Sequence, residues 1–264
     1  MSLPVPDRTV SLAAARDATD RFTSLLRGAA PTRTAIGYWS TAELAAHVSH
    51  IYGIYVECLN GGTSPVPDHL QLGRSWDAMV KEDPERNLGA LADRLDKAAI
   101  AFFEGIEAVG WEDPVPWHGG LTVPAYALPS IIVNETEIHG RDVAVAEKRP
   151  WDISPANAVL AIQGLMTVMP GYLNPQAAAG LEATFRLALR GAAPSFFRVA
   201  DGALEISTAA PGPVDCHISA DPVDYLLIGY GRKSQWGPML RGKVLAWGRK
   251  PWLGLRFAKL FYVV

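Results

Sequence analysis

The sequence predicts an α+β protein in which an N-terminal four-helix bundle precedes a smaller α+β domain with a mostly antiparallel sheet. Two observations predict this class. Residues 1–150 contain long stretches with helical periodicity, separated by Pro- and Gly-rich segments, whereas short alternating runs typical of strands follow residue 150. The chain of 264 residues, 49% of them hydrophobic, is long enough for two cores. We therefore expect two domains, residues 1–150 and 151–264.

Four helices are predicted in the first domain. The first covers roughly residues 9–28, and the second begins after Ser40, where Glu43 three residues later completes a capping-box pattern. The third lies near 86–108, and the fourth contains residues 125–146. Residues 60–75 and 111–124 are predicted to be loops.

The second domain is predicted to begin with a helix around residues 159–169. Three alternating stretches, 183–191, 196–208 and 214–220, indicate strands, and Asp201-Gly202 marks a hairpin turn. Residues 221–231 are predicted to be helical, with Asp221 as the cap and Pro222 at the first helical position. The apolar C-terminal stretch, residues 250–264, is predicted to be a final helix.

Composition excludes several classes of protein. The formal net charge of -3 is small and of the wrong sign for a nucleic-acid partner. No apolar run approaches the ~18 residues that a membrane span needs, and the N-terminus lacks the pattern of a signal peptide. The only cysteines, Cys58 and Cys216, make a disulfide framework improbable. We expect a cytoplasmic protein, monomeric or homodimeric, with no nucleic-acid partner and no membrane span.

The fourth helix carries several ionisable groups between two apolar stretches, in the sequence NETEIHGRD, residues 134–142. At about 100° per residue, Glu135 and His139 project into the middle of the apolar stripe, and Asp142 lies beside them. Glu137 projects to the opposite face, which predicts a solvated position or an inter-domain contact. Burial of the inward groups requires that they be paired or bound to a metal.

The second helix adds a histidine to this group. His47 projects close to the apolar stripe of that helix, whereas His50 points well away from it. Two histidines and a glutamate match a catalytic metal site with an open fourth position, and this mixed set favours zinc or iron. The alternative is a Glu-x-x-x-His salt bridge together with a hydrogen-bonded core histidine. From pattern alone the two interpretations are about equally supported.

The stretch WSTAELAAH, residues 39–47, together with ETEIHGRD, residues 135–142, resembles the mycothiol-dependent maleylpyruvate isomerase family. This family lies within the DinB-like group of metal-binding four-helix bundles. The resemblance implies that His47, Glu135 and His139 are the metal ligands. Residues 216–232 and the glycine-lysine pair at 242–243 are similar to a sterol-carrier-protein-like domain. The resemblance thus implies a DinB-like bundle in residues 1–150 and a sterol-carrier-protein-like domain in residues 151–264.

The function implied by this resemblance is that of a metal-dependent enzyme. Its cofactor would be zinc or another divalent metal, and its cosubstrate would be mycothiol, a small-molecule thiol. The thiol would attack a small electrophile, giving cis–trans isomerisation or S-transfer. The resemblance also implies a basic residue from the second domain, for which Arg186, Arg198 and Arg232 are candidates.

Two further residues are candidates for supporting roles at the site. Asp142 could accept a hydrogen bond from the second ring nitrogen of a ligating histidine, although a local cap or salt bridge is an equal alternative. His118 is a possible substrate contact, although an ordinary loop histidine is the more common case. Two other functions remain open: hydrolysis by a metal-bound hydroxide, and a non-catalytic binding protein with a structural metal and an apolar-ligand pocket in the C-terminal domain.

Overall fold

The computed structural model describes residues 3–262, which divide into two compact units. The first unit comprises residues 6–153. The second comprises residues 154–262 together with the short N-terminal stretch 3–5. Each unit is built around its own buried apolar residues.

The first unit contains five helices and two small hairpins. In chain order its elements are α1 (Arg8–Arg27), β1 (Thr34–Ile36), β2 (Trp39–Ser40), α2 (Thr41–Leu59), α3 (Leu72–Glu82), α4 (Leu88–Ala108), β3 (Pro114–Pro116), β4 (Thr122–Pro124) and α5 (Ala127–Glu147). Helix α1 packs against α4 and α5, and α2 packs against the same two helices, which closes a four-helix bundle.

Side-chain caps fix where three of the four bundle helices begin. Asp7 caps α1 by accepting from the Val10 amide, and Asn87 caps α4 in the same way. At α2 the predicted capping box is confirmed: Ser40 accepts from the Glu43 amide, and Glu43 accepts from the Ser40 amide. The four predicted bundle helices therefore all occur close to their predicted bounds.

Two predicted loops of the first unit contain regular structure. Residues 72–82 form α3, which packs against α2. This fifth helix begins within the loop predicted at residues 60–75 and ends before the third predicted helix, which begins near residue 86. Residues 111–124 form the β3–β4 hairpin, in which Val115 faces Val123 and both are buried. Burial against the bundle stabilises these short elements, which have no strong local signal of their own.

The described residues of the second unit form four α-helices, three 3₁₀ helices and one sheet. The α-helices and strands of this unit are α6 (Pro155–Val168), α7 (Pro175–Ala178), β5 (Ala183–Leu189), β6 (Ser195–Ala200), β7 (Ala203–Ser207), β8 (Cys216–Ala220), α8 (Pro222–Gly229), α9 (Trp236–Leu240) and β9 (Val244–Trp247). The strand order is β7-β6-β5-β8-β9, and only the β5–β8 pair is parallel. The predicted α+β class with a mostly antiparallel sheet is therefore confirmed.

The C-terminal stretch differs from its prediction. Instead of one apolar helix, it forms two consecutive 3₁₀ helices, Pro251–Leu255 and Phe257–Leu260. Residues 263–264 lie outside the described part of the chain. The stretch packs closely on the sheet, since a β-carbon on Gly254 would lie 2.5 Å from that of Ala246 on β9 and only glycine fits there. This tertiary packing overrides the local apolar pattern that predicts a helix. Helix α9 and strand β9 have no counterpart among the predicted elements.

Across residues 3–262, no helix combines the length and apolar character needed to cross a membrane. Cys58 and Cys216 are both buried and have free thiols.

Gly140 provides a test of packing on α5. A β-carbon at this position would lie 2.2 Å from Cζ2 of Trp151, so we expect Gly140→Ala to displace the indole and destabilise the bundle by roughly 1–3 kcal/mol. Gly53, inside α2, has nothing within 4 Å of its β-carbon position, so Gly53→Ala is the control and should stabilise by up to about 1 kcal/mol. Urea unfolding followed by far-UV circular dichroism measures both. Equal midpoints for the two variants would contradict this packing.

Candidate metal centre

The candidate site lies inside the bundle, where α5 faces α2. Glu135 and His139 are one turn apart on α5, so their side chains lie one above the other on the same face. His47, two turns into α2, is buried and reaches the same place. The three side chains that the helical projection selects are thus neighbours in space.

The ligand atoms of these residues converge. Glu135 Oε2 lies 3.3 Å from His139 Nε2 and 3.8 Å from His47 Nε2. One atom from each residue can be chosen so that all three lie within 4.8 Å of one another. In a tetrahedral site with bonds of ~2.0–2.1 Å, ligand atoms are about 3.3–3.4 Å apart. A metal ion of zinc's size therefore fits this group with a small contraction.

The hydrogen bonding of His47 supports the fit. Among the described residues, its buried Nδ1 has no hydrogen-bond partner. Its Nε2 lies 3.8 Å from Glu135, which is too long for a hydrogen bond. A histidine that served only as a core residue would ordinarily have at least one ring nitrogen satisfied. A cation bound between Nε2 and the Glu135 carboxylate would give Nε2 the partner that it lacks.

Two tryptophan rings pack against His47. Its ring lies 5.1 Å from that of Trp39 and 4.9 Å from that of Trp76, measured between centroids. Trp76 belongs to α3, and the next residue, Asp77, accepts a hydrogen bond from the Trp39 indole at 3.0 Å. Helix α3, which was not among the predicted helices, therefore supplies one of the two tryptophans that pack on His47 and positions the other.

The electrostatics of the three groups are strongly coupled. Burial would raise the pKa of Glu135, but His139 and His47 outweigh it and hold this pKa well below the usual range. Burial likewise would lower the pKa of His139, but hydrogen bonds to Asp142 and Glu135 raise it to about 9. Burial lowers the pKa of His47. The carboxylates that favour a proton on His139 favour a bound cation for the same electrostatic reason.

Asp142 lies where it can orient His139. Its Oδ2 is 3.2 Å from His139 Nδ1, while Nε2 of the same ring faces Glu135. A carboxylate that accepts from Nδ1–H fixes the tautomer in which Nε2 is the free ligand atom. This is the contact that the sequence analysis weighed against a local cap, and the role itself stays a prediction.

His118 is buried in an aromatic cluster next to the site. It begins a short 3₁₀ helix, and its Nδ1 shares a 2.6 Å hydrogen bond with Ser64 Oγ. Its ring lies 5.4 Å from that of Trp76, which in turn contacts His47. Gly119 permits this tight turn, because its φ of 66° is left-handed and a β-carbon would lie 2.7 Å from the His69 amide. Burial lowers the pKa of His118 to about 4, so the imidazole is neutral at pH 7.

The solvated position predicted as one alternative for Glu137 is wrong, because this side chain is fully buried. The other alternative, an inter-domain contact, stays a prediction. Glu137 accepts hydrogen bonds from Arg21 on α1 at 3.1 Å and from the Trp151 indole at 3.0 Å. The Arg21 guanidinium also lies over the Trp151 ring, 4.4 Å from its centroid. Helix α5 is covered on both sides, by the site on one and by α1 and Trp151 on the other. A helical projection with a single apolar stripe assumes that the opposite face of the helix is exposed to solvent, which does not hold for α5.

Comparison with known proteins identifies the family. Residues 12–144 match the family described as the mycothiol maleylpyruvate isomerase N-terminal domain, and this match spans just over half of the chain. The chain belongs to this family. The predicted family resemblance is thus confirmed, and the match includes His47, Glu135, His139 and Asp142.

Solved structures share the fold of this family member over almost its whole length. The crystal structure of the mycothiol-dependent maleylpyruvate isomerase covers 92% of this chain and 93% of its own, with a TM-score of 0.54 and 16% identity. A histidine-to-alanine mutant of that enzyme gives the same values. At this identity the similarity concerns the fold alone. The comparison with curated proteins finds no match.

The three arginines considered as the basic residue of the second domain lie in the second unit of this family member. Arg186 is on β5, and Arg198, on β6, lies 3.7 Å from Glu205. Arg232 follows α8 and donates a hydrogen bond to the Tyr230 carbonyl. None of these contacts singles out one of the three for the role.

The buried pair behind the candidate site can be tested through Arg21. We expect Arg21→Met to destabilise the protein by roughly 3–5 kcal/mol, because it leaves the Glu137 carboxylate buried without its cation. Arg16→Met is the matched control on the same helix: its partner Glu107 is exposed, so the loss should stay below about 1 kcal/mol. Thermal unfolding of both variants measures the difference. A similar loss in both would contradict the assigned role of Arg21.

Proposed function

We propose that this protein is a divalent-metal enzyme, with zinc as the simplest cofactor, that uses the small-molecule thiol mycothiol as a nucleophile. The observation that carries the proposal is the convergence of His47, Glu135 and His139. Among the described residues, this group offers three metal ligands and not four. A structural zinc site closes with four protein ligands, whereas a catalytic site keeps one position for a reactant. Membership of the mycothiol maleylpyruvate isomerase family supports the choice of thiol.

The metal would supply one property, namely stabilisation of a thiolate at neutral pH in the position that the protein leaves open. The chain's own residues provide the rest. Asp142 holds the ring of His139 in one orientation by accepting from Nδ1. Trp39 and Trp76 pack on His47 and restrict water around it. A thiolate in such a dry site keeps its nucleophilicity.

The proposed substrate is a small electrophile with an activated carbon–carbon double bond. The sulfur forms a bond to one carbon, and the electron pair of the double bond moves into the activating group. Rotation about the resulting single bond followed by loss of the same thiolate gives the cis–trans isomer. If a proton is captured at the adjacent carbon instead, the thioether is released as the product of S-transfer.

His118 is proposed to contact this substrate. Its neutral imidazole lies beside Trp76, and its hydrogen bond to Ser64 fixes the ring. A neutral imidazole can donate to or accept from a polar group of the substrate without adding a charge to the site.

The proposal extends to the whole chain. Residues 1–150 would form the DinB-like metal-binding bundle, and residues 151–264 a sterol-carrier-protein-like domain. We place the enzyme in the cytoplasm, where small-molecule thiols stay reduced, as a monomer or homodimer.

Metal binding is the first prediction of this proposal. Purified wild-type protein should bind about one zinc per chain, and both His47→Ala and Glu135→Ala should lose it, because two ligands hold a metal far less tightly than three. Asp142→Ala should keep the site but weaken affinity roughly 10–100-fold. Competition with a zinc-sensitive dye measures all four proteins.

His50→Ala is the control for these variants. His50 also lies on α2, but its Nε2 lies 3.0 Å from Asp83, away from the triad, so its loss should leave metal affinity unchanged. A wild-type protein that takes up no metal even from added zinc would contradict the proposed centre.

Thiol dependence is the second prediction. The zinc-loaded protein should convert a cis-configured activated alkene such as maleylpyruvate only when mycothiol is present, and Glu135→Ala should lower the rate by at least about a hundredfold. Nuclear magnetic resonance of the products separates the two outcomes, since isomerisation regenerates the free thiol whereas S-transfer consumes one thiol per turnover. Equal rates with and without thiol would rule out the proposed nucleophile.

A further inference from the structure

The C-terminal part of the chain has a charge distribution unlike that of the rest. Residues 225–264 contain eight of the 24 Lys and Arg residues and none of the 27 Asp and Glu residues. This stretch therefore has a formal charge of +8, whereas residues 1–224, with 16 basic and 27 acidic residues, have a formal charge of -11. Such asymmetry is typical of proteins that approach an anionic surface.

Within this stretch, residues 249–259, here called the basic aromatic segment, have two distinct faces. Their inward side chains are Leu253 and Phe257, both buried. The Phe257 ring lies 4.9 Å from that of Phe185 and 5.2 Å from that of Phe197, so the sheet holds the segment firmly. Folding therefore accounts for this inward face.

The outward face consists of side chains that the fold does not use. Trp252 and Leu255 are 58% and 41% exposed, and their spacing of three residues places them on the same side of a 3₁₀ helix. Arg256 lies between the two 3₁₀ helices, and Lys259, three residues later, lies on the second of them; both side chains are exposed. Within residues 3–262, neither cation lies within 4 Å of a carboxylate. The segment thus presents a tryptophan and a leucine beside two unpaired cations.

We infer that the basic aromatic segment docks on the surface of a membrane that contains anionic lipids. Tryptophan at an interface, an aliphatic side chain that inserts below it and flanking basic residues form the combination that binds such a surface without spanning it. Charge complementarity selects the anionic lipid: two copies of the segment facing each other would bring four unpaired cations together, and a nucleic acid would leave Leu255 without an apolar partner. Leu240, 88% exposed in the same stretch, adds to the apolar character.

The test is co-sedimentation of the full chain with lipid vesicles. The wild-type protein should bind vesicles of equal parts phosphatidylglycerol and phosphatidylcholine, should bind phosphatidylcholine alone far less, and should dissociate as salt is raised. Arg256→Gln with Lys259→Gln should weaken binding about thirtyfold, since each basic residue near such a surface contributes about a factor of five. Trp252→Ser with Leu255→Ser should weaken it at least about tenfold.

Matched controls lie in the bundle. Lys81→Gln with Lys97→Gln removes the same charge from exposed positions, and Ile100→Ser removes an aliphatic side chain that is 62% exposed. Both should bind like the wild type. The charge variant leaves every inward residue of the segment in place, so its binding is informative even if the apolar variant fails to fold.

Three results would overturn the inference. The first is a wild-type protein that stays in the supernatant with anionic vesicles at low salt. The second is an equal loss of binding in the bundle controls. The third is binding to single-stranded DNA that matches vesicle binding and is reduced by the same two variants, which would assign the segment to nucleic acid instead.

Discussion

Compensation of buried charge on α5 is the constraint on which the bundle depends. This helix carries Glu135 and Asp142 toward α2 and the fully buried Glu137 toward α1. An uncompensated carboxylate in either place would cost several kcal/mol. His139 and His47 compensate on one side, and Arg21 with Trp151 on the other. Rotation of α5 about its axis would break both sets of contacts, so the two sets together fix the orientation of the proposed ligands.

The aromatic residues around His47 give this arrangement its rigidity. Trp76 packs on the imidazole, and Asp77 fixes Trp39 on another side of it. His118 and Trp117 continue the aromatic wall beyond Trp76. A side chain enclosed by rings in this way has few alternative rotamers, and a metal site needs ligands that are held in place before the metal arrives. The short helix α3 is therefore part of the site, even though it supplies none of the three converging residues.

The sequence predicts the bundle and the converging triad because both follow from the period of apolar residues along single helices. It predicts the α+β class because short alternating runs, typical of strands, follow residue 150. A solvated Glu137 is wrong because the burial of this side chain depends on a third element, the Trp151 stretch that covers the second face of α5. Helix α3 is missed because no side chain caps its N-terminus at Gln71, so it has no local start signal. The C-terminal 3₁₀ helices depend on the close approach of Gly254 to Ala246, a tertiary contact that no local pattern indicates.

The two units differ in whether the polar and apolar side chains discussed above have partners within the unit. In the bundle, the largely buried carboxylates of Glu135, Glu137 and Asp142 lie beside basic side chains, so ligand binding there has to replace or join existing ion pairs. In the second unit, the inward Phe257 satisfies the sheet while the outward Trp252 and Arg256 satisfy nothing within it. Trp252 and Arg256 are therefore exposed to solvent without a structural role in the sheet. The side chains to which we assign a function are therefore largely buried in the first unit and exposed in the second.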